Sequence, residues 1–416
     1  MIYITEQERQ IPVTYDVDLL ICGGGVAGWA AALSAARLGA SVFLVERYGF
    51  LGGEAVSALV LTVPPLNNGI CRELADRLQT LGAIRKCKYP AGEVADWLER
   101  GGLGHGMEAF DPEILKHEMV TMLQQKNVRM LLHTYVVDSI VEDNVLKGVI
   151  IENKGGRQAI LAEMIVDATG DADVVHFAQA PYLEGIAPMT MMFNMVGVNS
   201  EEALSEIGDW SNVPRLLAQA IDRKEVHFKL GTKLEEGAPG VSIENLVYPG
   251  EVNIWSGNLL NTSGIKPDEL TEAEIITREH AHILANWLKK SIKGFENARI
   301  EMLSTQVGVR KSRQIKPAEL VSDGTVCKPY ATASAVLPYS SLVPQRVNNL
   351  LVAGRCVFAR EDRYGGQFRL IPACLATGQS AGIAAALALA RGITPAKLDV
   401  SLVQKTIVEH GQDLGV

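Results

Sequence analysis

The sequence lacks the cysteine patterns that metal centres, disulfide frameworks and redox-active dithiols require. Its six cysteines are scattered, with no CxxC, no CxxxxC and no cluster of cysteine and histidine. This spacing argues against a zinc site, a disulfide-stabilised fold and a dithiol oxidoreductase. The polar segment 1–16 also lacks the basic and then apolar order of a signal peptide. We therefore expect a protein of the reducing cytoplasm with no resident metal ion.

Concentrated positive charge is missing as well. The net charge is -9, and the 39 lysines and arginines form no basic arm or block. Nucleic acid is therefore disfavoured as a partner. With 416 residues, of which 47% are hydrophobic and 21% charged, the chain is long enough for two domains with sizeable cores. The composition leaves open whether it forms a homo-oligomer.

What the sequence does contain is an apolar segment, Asp18 to Glu46, with Arg37 as the one full charge between residues 19 and 45. Its hydropathy alone would also fit a membrane helix or a signal segment. Glycines near its start and β-branched residues at both ends favour a buried strand, helix and parallel strand instead. We therefore expect no membrane span.

The spacing Gly23-x-Gly25-x-x-Gly28 at the first turn is typical of a dinucleotide cradle. The first glycine permits the tight turn, the second lets a pyrophosphate approach the backbone, and the third lets helix and strand pack closely. Val26 and Ala27 lie in this turn and are expected to contact the cofactor, and the N-terminus of the helix that follows, Trp29 to Gly39, attracts phosphate. Glu46 follows at the distance where an acid binds a ribose. A glycine turn without a ligand remains the alternative.

The remaining chain suggests one domain interrupted by another. Asp111-Pro112-Glu113 has the residues of a helix start. A β-meander should follow, with strands at 128–138, 139–142, 145–152 and 158–165. Between 177 and 338 we expect strands at 189–195 and 247–258 and a helix from a capping box at Thr271 through Lys290. The pattern then returns to a buried strand at 349–354 and a small-residue helix from Pro372. The fold class is thus α/β: a discontinuous Rossmann-like domain, 1–176 and 339–416, with an inserted α+β substrate domain, 177–338.

Several of these segments together resemble the FAD-dependent oxidoreductases of the glutathione-reductase-2 structural class. They are Asp18 to Gly28, Glu46-Arg47, Gly52-Gly53, Asp167-Ala168-Thr169-Gly170-Asp171 and Leu351-Val352-Ala353-Gly354-Arg355. Nearly the whole chain resembles the bacterial FAD-dependent oxidoreductase family of that class. In segment 308–315, however, Lys311 stands where an acid is expected.

The resemblance implies bound FAD and a set of contacts to it. Ala168, Thr169 and Gly170 should lie near the dinucleotide, and the backbone around Val136 and Val137 should contact the adenine. Gly354, Arg355 and the helix from Pro372 should meet the flavin end. Covalent attachment of FAD through Cys71 or His105 is open.

Candidate substrate-binding and acid/base residues lie mostly outside the cradle. Arginines are dense toward the end of the chain, at positions 310, 313, 355, 360, 363 and 369. Arg369 and Arg310 are our candidates for binding an anionic substrate, because a guanidinium binds carboxylate bidentately. The alternative is pairing with Glu361, Asp362 or the FAD phosphates. His105 in a glycine loop and Tyr364 are candidate acid/base groups, although packing roles remain open.

No second cradle for NAD(P)H follows, so a pyridine-nucleotide–disulfide reductase is disfavoured. The expected function is hydride exchange between flavin N5 and a small organic substrate, in the dehydrogenase or oxidase direction. Oxygen, a quinone or a protein carrier would then re-oxidise the flavin. A flavin-dependent reductase of an activated double bond and a non-catalytic flavin-binding sensor or scaffold are the alternatives.

Overall fold

The computed structural model describes residues 2, 4, 8–88, 99, 106–230, 240–320, 322–332, 335–359 and 367–415. The strands are β1 (Val13–Cys22), β2 (Val42–Val45), β3 (Thr62–Val63), β4 (Ile84–Lys88), β5 (Gly106–Phe110), β6 (Arg129–Leu131), β7 (Tyr135–Glu142), β8 (Val145–Asn153), β9 (Gly156–Asp167), β10 (Tyr182–Glu184), β11 (Met192–Val196), β12 (Val241–Asn245), β13 (Glu251–Ser256), β14 (Arg299–Leu303), β15 (Arg313–Ile315), β16 (Thr325–Cys327), β17 (Leu337–Pro338) and β18 (Leu350–Val352). The α-helices are α1 (Val26–Arg37), α2 (Glu54–Ser57), α3 (Gly69–Thr80), α4 (Pro112–Gln124), α5 (Asp173–Phe177), α6 (Ser200–Ile207), α7 (Val213–Asp222), α8 (Pro267–Ser291), α9 (Ile371–Arg391) and α10 (Val400–Glu409).

The main sheet has the order β6-β2-β1-β9-β8-β7, with β18 added to β9. Strands β6, β2, β1, β9 and β18 are parallel, and β7, β8 and β9 form an antiparallel meander. The long strand β9 pairs with β1 along one edge. Its other edge pairs first with β8, over 156–161, and then with β18, over 165–167. The chain therefore returns to its first sheet near its end, and the predicted α/β class is confirmed.

Helices α1 and α9 cross closely because their facing residues are small. A Cβ on Gly378 would lie 2.2 Å from the carbonyl oxygen of Ala27, and one on Gly382 would lie 2.2 Å from that of Ala31. Both distances are too short for any side chain. Among the helices in the described ranges, α9 is the one whose length and apolar composition could span a membrane, and 83% of that stretch is buried inside the protein.

A second sheet of order β12-β13-β11-β14 lies within 177–338 and has its own hydrophobic cluster with α8. The cluster runs from Met189 to Val309, whereas Ile315 and Val326 pack into the core of the first sheet. The exact domain boundaries at 176 and 338 stay predictions.

The predicted helix start at Asp111 is confirmed, because its Oδ1 accepts hydrogen bonds from the N–H groups of Glu113 and Ile114. The single strand predicted over 128–138 is wrong. The chain leaves it at His133, which has φ +54°, and changes partner from β2 to β8. The predicted strand end at 138 is also wrong, since β7 continues through it to Glu142 with the same partner, β8.

Two expected bounds in the inserted segment also differ. The capping box at Thr271 is wrong, because α8 already begins at Pro267 and the Thr271 hydroxyl donates to the Pro267 carbonyl inside the helix. The strand predicted over 247–258 starts only at Glu251, after a turn in which Gly250 has φ +81°. The helix thus starts one turn before the predicted cap, and the turn at Gly250 delays the start of β13.

Candidate active site

A cavity of about 550 Å³ lies between the carboxyl ends of the parallel strands and the inserted sheet. One side is formed by the first glycine loop, the end of β2, and the segments 52–57, 134–136, 168–173, 353–355 and 369–374. The other side is formed by residues from 188–192, 255–258 and 306–310. The carboxyl ends of parallel strands are where ligands bind in open α/β sheets.

The three glycines of the first turn have three different environments. Gly23 has φ +104°, and a Cβ there would lie 2.4 Å from the carbonyl oxygen of Ala168. A Cβ on Gly28 would lie 1.8 Å from the carbonyl oxygen of Gly23. A Cβ on Gly25 would meet nothing closer than Gly53 Cα, at 3.7 Å, which is an ordinary van der Waals contact. Gly23 thus packs against the loop after β9, Gly28 packs α1 against the first turn, and Gly25 alone of the three has room for a further atom.

This geometry fits a dinucleotide. Helix α1 begins after Gly25 with no side chain capping its first N–H groups, and Gly25 lines the cavity. Uncapped N–H groups and the helix dipole together attract a phosphate. The cavity is therefore built to accept a pyrophosphate at the start of α1.

Glu46 is buried at the end of β2, where an acid was expected to meet a ribose. Its carboxylate accepts hydrogen bonds from the N–H groups of Gly24, at 2.5 Å, and Tyr48, at 2.9 Å. Burial raises the pKa of Glu46, although these hydrogen bonds oppose the shift. The side chain thus holds the glycine loop in place and also lines the cavity. Contact with a ribose stays a prediction.

Asp167 fixes the loop that follows β9. Its two carboxylate oxygens accept from Thr169 N–H, at 3.1 Å, the Thr169 hydroxyl, at 2.7 Å, and Val175 N–H, at 3.0 Å. Complete burial raises the pKa of Asp167 to about 6 despite these bonds. The loop 168–171 is thereby tied to the start of α5 and held against the first glycine turn.

Arg355 links the end of β18 to that loop. Its Nη2 lies 2.9 Å from Asp171 and 3.6 Å from Glu54, and its Nη1 donates to the Ser312 hydroxyl at 2.9 Å. Burial opposes the charge of Arg355, but Asp171 and Glu54 outweigh it and raise the pKa of the guanidinium. The preceding Gly354 donates its N–H to the Thr377 hydroxyl on α9, at 3.0 Å. Five separate chain segments therefore meet at this end of the cavity.

The opposite wall comes from the inserted sheet. Arg310 donates to the Pro188 carbonyl at 2.6 Å and to the Asn258 side-chain oxygen at 3.0 Å, and its guanidinium lies 5.6 Å from the Trp255 ring centroid. The same Asn258 oxygen accepts from the Thr190 hydroxyl at 2.9 Å. The Asn258 amide nitrogen is thus turned away from both donors. The hydrogen-bond donors on this wall include the Arg310 guanidinium, the Thr190 hydroxyl and the indole N–H of Trp255, which has no hydrogen-bond partner within the described residues.

The cavity brings together most residues that the sequence suggested. Those that line it are Gly23, Gly25, Val26, Ala27, Glu46, Arg47, Gly52, Gly53, Ala168, Thr169, Gly170, Gly354, Arg355, Arg310 and Arg369. Gly28 and Val137 are not among the lining residues: Gly28 packs behind the loop, and Val136 takes the lining position on β7. Which of these residues bind FAD or substrate stays a prediction.

His105 and Tyr364 lie outside the described residues. Cys71, a candidate for covalent attachment of FAD, is completely buried and does not line the cavity; its thiol donates to the Pro372 carbonyl at 3.3 Å. The structure therefore places Cys71 behind α9. Cys374, in contrast, does line the cavity, and burial raises the pKa of its thiol to about 12.

Sequence reasoning missed Thr190, Trp255, Asn258 and Glu54. The first three come from segments about 65 residues apart that antiparallel pairing brings together, and no local motif marks them. Glu54 had a signal, because it directly follows the Gly52-Gly53 pair.

The fold is Rossmann-like with a second sheet facing the cavity, and the comparisons identify the protein as a flavoprotein. The model of the family described as FAD dependent oxidoreductase matches residues 18–335 and 328–407, so the chain belongs to this family. It is an enzyme, an oxidoreductase, and its cofactor is FAD. The predicted cofactor is confirmed, and an enzyme is favoured over a non-catalytic sensor.

Two curated relatives match parts of the chain. A urocanate reductase of Eggerthella lenta is 40% identical over 65 residues, which are 14% of this chain and 11% of that protein. A digeranylgeranylglycerophospholipid reductase of Methanoculleus marisnigri is 26% identical over 186 residues, or 42% of this chain and 44% of that protein. The matched segments thus span less than half of either relative.

Solved structures share the fold over nearly the whole chain. A p-nitrophenol 4-monooxygenase of Pseudomonas putida has a TM-score of 0.54 at 12% identity, covering 96% of this chain and 85% of that one. A geranylgeranyl bacteriochlorophyll reductase-like protein of Thermoplasma acidophilum has a TM-score of 0.52 at 14% identity, covering 96% and 84%. At this identity the likeness concerns the fold alone.

Proposed function

We propose that this enzyme exchanges a hydride between the flavin of FAD and a small, anionic organic substrate. The observation that carries the proposal is that one continuous cavity extends from the uncapped start of α1 to the wall around Arg310. Bound FAD supplies the hydride acceptor or donor. The residues of the chain supply binding, orientation and proton transfer.

The residues that would hold FAD lie along the first sheet. Gly25 and the start of α1 would accept the pyrophosphate, Glu46 a ribose, and the 168–170 loop the central part of the dinucleotide. Gly354, Arg355 and the first turn of α9 would lie toward the flavin. Helix α9 begins after Leu370 with no side-chain cap, so its N-terminus would favour negative charge there.

The substrate would bind against the inserted sheet. Arg310 lies across the Trp255 ring and is held by two neutral oxygens, those of Pro188 and Asn258, which fix the direction of its guanidinium. Arg369, in the turn before α9, lines the same cavity. Guanidinium groups bind carboxylates through charge-assisted hydrogen bonds. A hydroxy acid or amino acid, oxidised to the carbonyl or imino acid, fits this wall.

A reductase acting on an activated double bond is the second candidate. Both curated relatives are named as reductases, and a wall of donors would also stabilise the negative charge that develops on a carbonyl when a hydride adds to an enoate. The cavity serves either direction of hydride transfer.

Anaerobic mixing of the FAD-loaded enzyme with a panel of hydroxy acids, amino acids, sugars and enoates tests the proposal. Bleaching of the oxidised flavin by a hydroxy or amino acid supports the dehydrogenase or oxidase direction. Re-oxidation of pre-reduced flavin by an enoate supports the reductase. A panel in which uncharged sugars react and no carboxylate does would refute the anionic substrate. A cytoplasmic location stays a prediction.

A further inference from the structure

Glu54 lies where the cofactor side of the cavity meets the substrate side. It follows Gly52 and Gly53, begins α2, and lines the cavity with 31% of its side chain exposed. Its Oε1 accepts a hydrogen bond from the N–H of Val309, at 3.2 Å, and Val309 directly precedes Arg310. One carboxyl group therefore contacts the backbone of the substrate-side wall and also lies 3.6 Å from Arg355.

The charges around Glu54 leave it only partly compensated. Arg355 lies closer to Asp171, at 2.9 Å, than to Glu54. Arg369 faces Glu54 from the turn before α9, and Arg310 adjoins it through Val309. Burial and the neighbouring Asp171 raise the pKa of Glu54, while Arg355, the Val309 N–H and Arg369 lower it, and the net direction is upward. An upward shift of the Glu54 pKa makes the protonated carboxyl more accessible than that of an exposed glutamate.

The other carboxylates on the described cavity wall are already committed. Glu46 accepts two backbone hydrogen bonds beside the first glycine turn, and Asp173 pairs with Arg313 at 3.0 Å. Within the described part of the lining there is no histidine or lysine. Of the carboxyl groups described there, Glu54 is the one that bonds to segment 306–310.

We propose that Glu54 is the acid/base residue that takes the substrate's proton when its hydride leaves. The identification of the substrate side rests on the proposed function. In the oxidation of an alcohol or amine, the C–H bond breaks and its electron pair travels with the hydrogen to the flavin. The O–H or N–H bond breaks, its proton goes to the Glu54 carboxylate, and the C=O or C=N bond forms. In the reductive direction the protonated Glu54 returns that proton.

The proposal can be tested without any substrate, because a reduced flavin gains negative charge. A carboxylate close to it should then bind a proton more tightly. The measurement is the midpoint potential of the FAD-loaded protein as a function of pH. Each additional proton bound per two electrons steepens this dependence by about 30 mV per pH unit. Glu54 then has one pKa when the flavin is oxidised and a higher one when it is reduced. Between these two pKa values we expect the midpoint potential of the wild type to show an additional slope, and we expect Glu54→Gln to lose it.

Two variants make the comparison specific. Glu54→Asp keeps a carboxyl group and should keep the additional slope, shifted in pH. Glu118→Gln removes a buried carboxylate that is also paired with an arginine, Arg77, but does not line the cavity; it should leave the slope unchanged. An additional slope that persists in Glu54→Gln, or one absent from the wild type, overturns the proposal.

A second measurement decides the matter if Glu54→Gln does not retain FAD. Reduction of the wild type should then produce the infrared band of a protonated carboxyl group, which shifts in D₂O and moves in Glu54→Asp. Absence of the band, or a band identical in both proteins, overturns the proposal. Because neither measurement uses a substrate, a failed substrate panel would count against the proposed function alone, whereas the coupling of Glu54 protonation to flavin reduction would stand or fall by these two measurements.

Discussion

Gly25 and Gly28 belong to one motif, yet alanine at each position should have opposite effects. In Gly28→Ala the new methyl group would lie 1.8 Å from the backbone oxygen of Gly23. Neither partner is a flexible side chain, so α1 must move away from β1. Overpacking of this kind costs about 3 kcal/mol or more of the free energy of unfolding.

Gly25→Ala should leave the protein without FAD as stable as the wild type or slightly more so. Gly25 has φ -62°, which alanine adopts freely, and the nearest atom to its new methyl group is 3.7 Å away. Restricting the unfolded chain should add about 0.4–1 kcal/mol of stability. Because Gly25 lines the cavity, the same methyl group should narrow it where the pyrophosphate is expected. Losing one charge-assisted hydrogen bond there costs about 1.5–3 kcal/mol, or about 10- to 100-fold in the dissociation constant of FAD.

Urea unfolding of the FAD-free proteins, followed by circular dichroism, measures the first effect, and titration with FAD followed by flavin fluorescence measures the second. We expect Gly28→Ala to unfold at a much lower urea concentration. Gly25→Ala should unfold like the wild type but bind FAD weakly. If Gly25→Ala is as unstable as Gly28→Ala, or binds FAD with unchanged affinity, the assignment of separate packing and binding roles is refuted.

Three further outcomes are expected. Arg310→Gln should weaken the binding of lactate or benzoate about 10- to 100-fold, as measured by flavin absorbance. The binding of an uncharged amide of similar size should not change. Equal losses for both ligands would contradict a role of Arg310 in recognising the negative charge. Between about pH 4 and 6 the folded protein holds a proton on Asp167 that the unfolded chain has released, so the free energy of unfolding should fall by about 3 kcal/mol as pH rises through this interval. Asp167→Asn should flatten that dependence in urea titrations, and an unaltered slope would show that another group is responsible. Gly382→Ala should destabilise the protein by about 3 kcal/mol or more in the same assay, because its Cβ would lie 2.2 Å from the Ala31 oxygen; wild-type stability would mean that α1 and α9 can separate.

The parts of the fold that the sequence predicted well are those in which local rules and tertiary packing agree. The strand and helix around Gly23 and the cap at Asp111 are determined locally, by turn chemistry and by side-chain hydrogen bonds. The break at His133 could not be read in this way. The stretch around it has the composition of a continuous strand, and only the pairing partners on either side determine where it bends.

The same distinction separates the residues of the candidate site that the sequence predicted from those that it did not. Residues of the cofactor side sit in short motifs whose spacing is fixed by backbone geometry. Asn258 and Thr190 meet only through the pairing of distant antiparallel segments, which no single window of sequence encodes. Glu54 lies in a recognisable loop, but its importance as a proton carrier depends on Arg355 and Val309, which follow it by about 300 and 255 residues and become its neighbours only on folding.

The return of the chain to its first sheet also bears on how the protein is made. Gly354 and Cys374 face the same cavity as Gly23, but the ribosome must complete the whole inserted segment before they exist. An emerging chain would display the glycine loop and the small-residue face of α1 without the helix that covers them. Contacts this distant in sequence form late in folding. Cofactor capture should therefore be a post-translational event, and the arrival of α9 should act as the step that closes the nascent enzyme around its flavin.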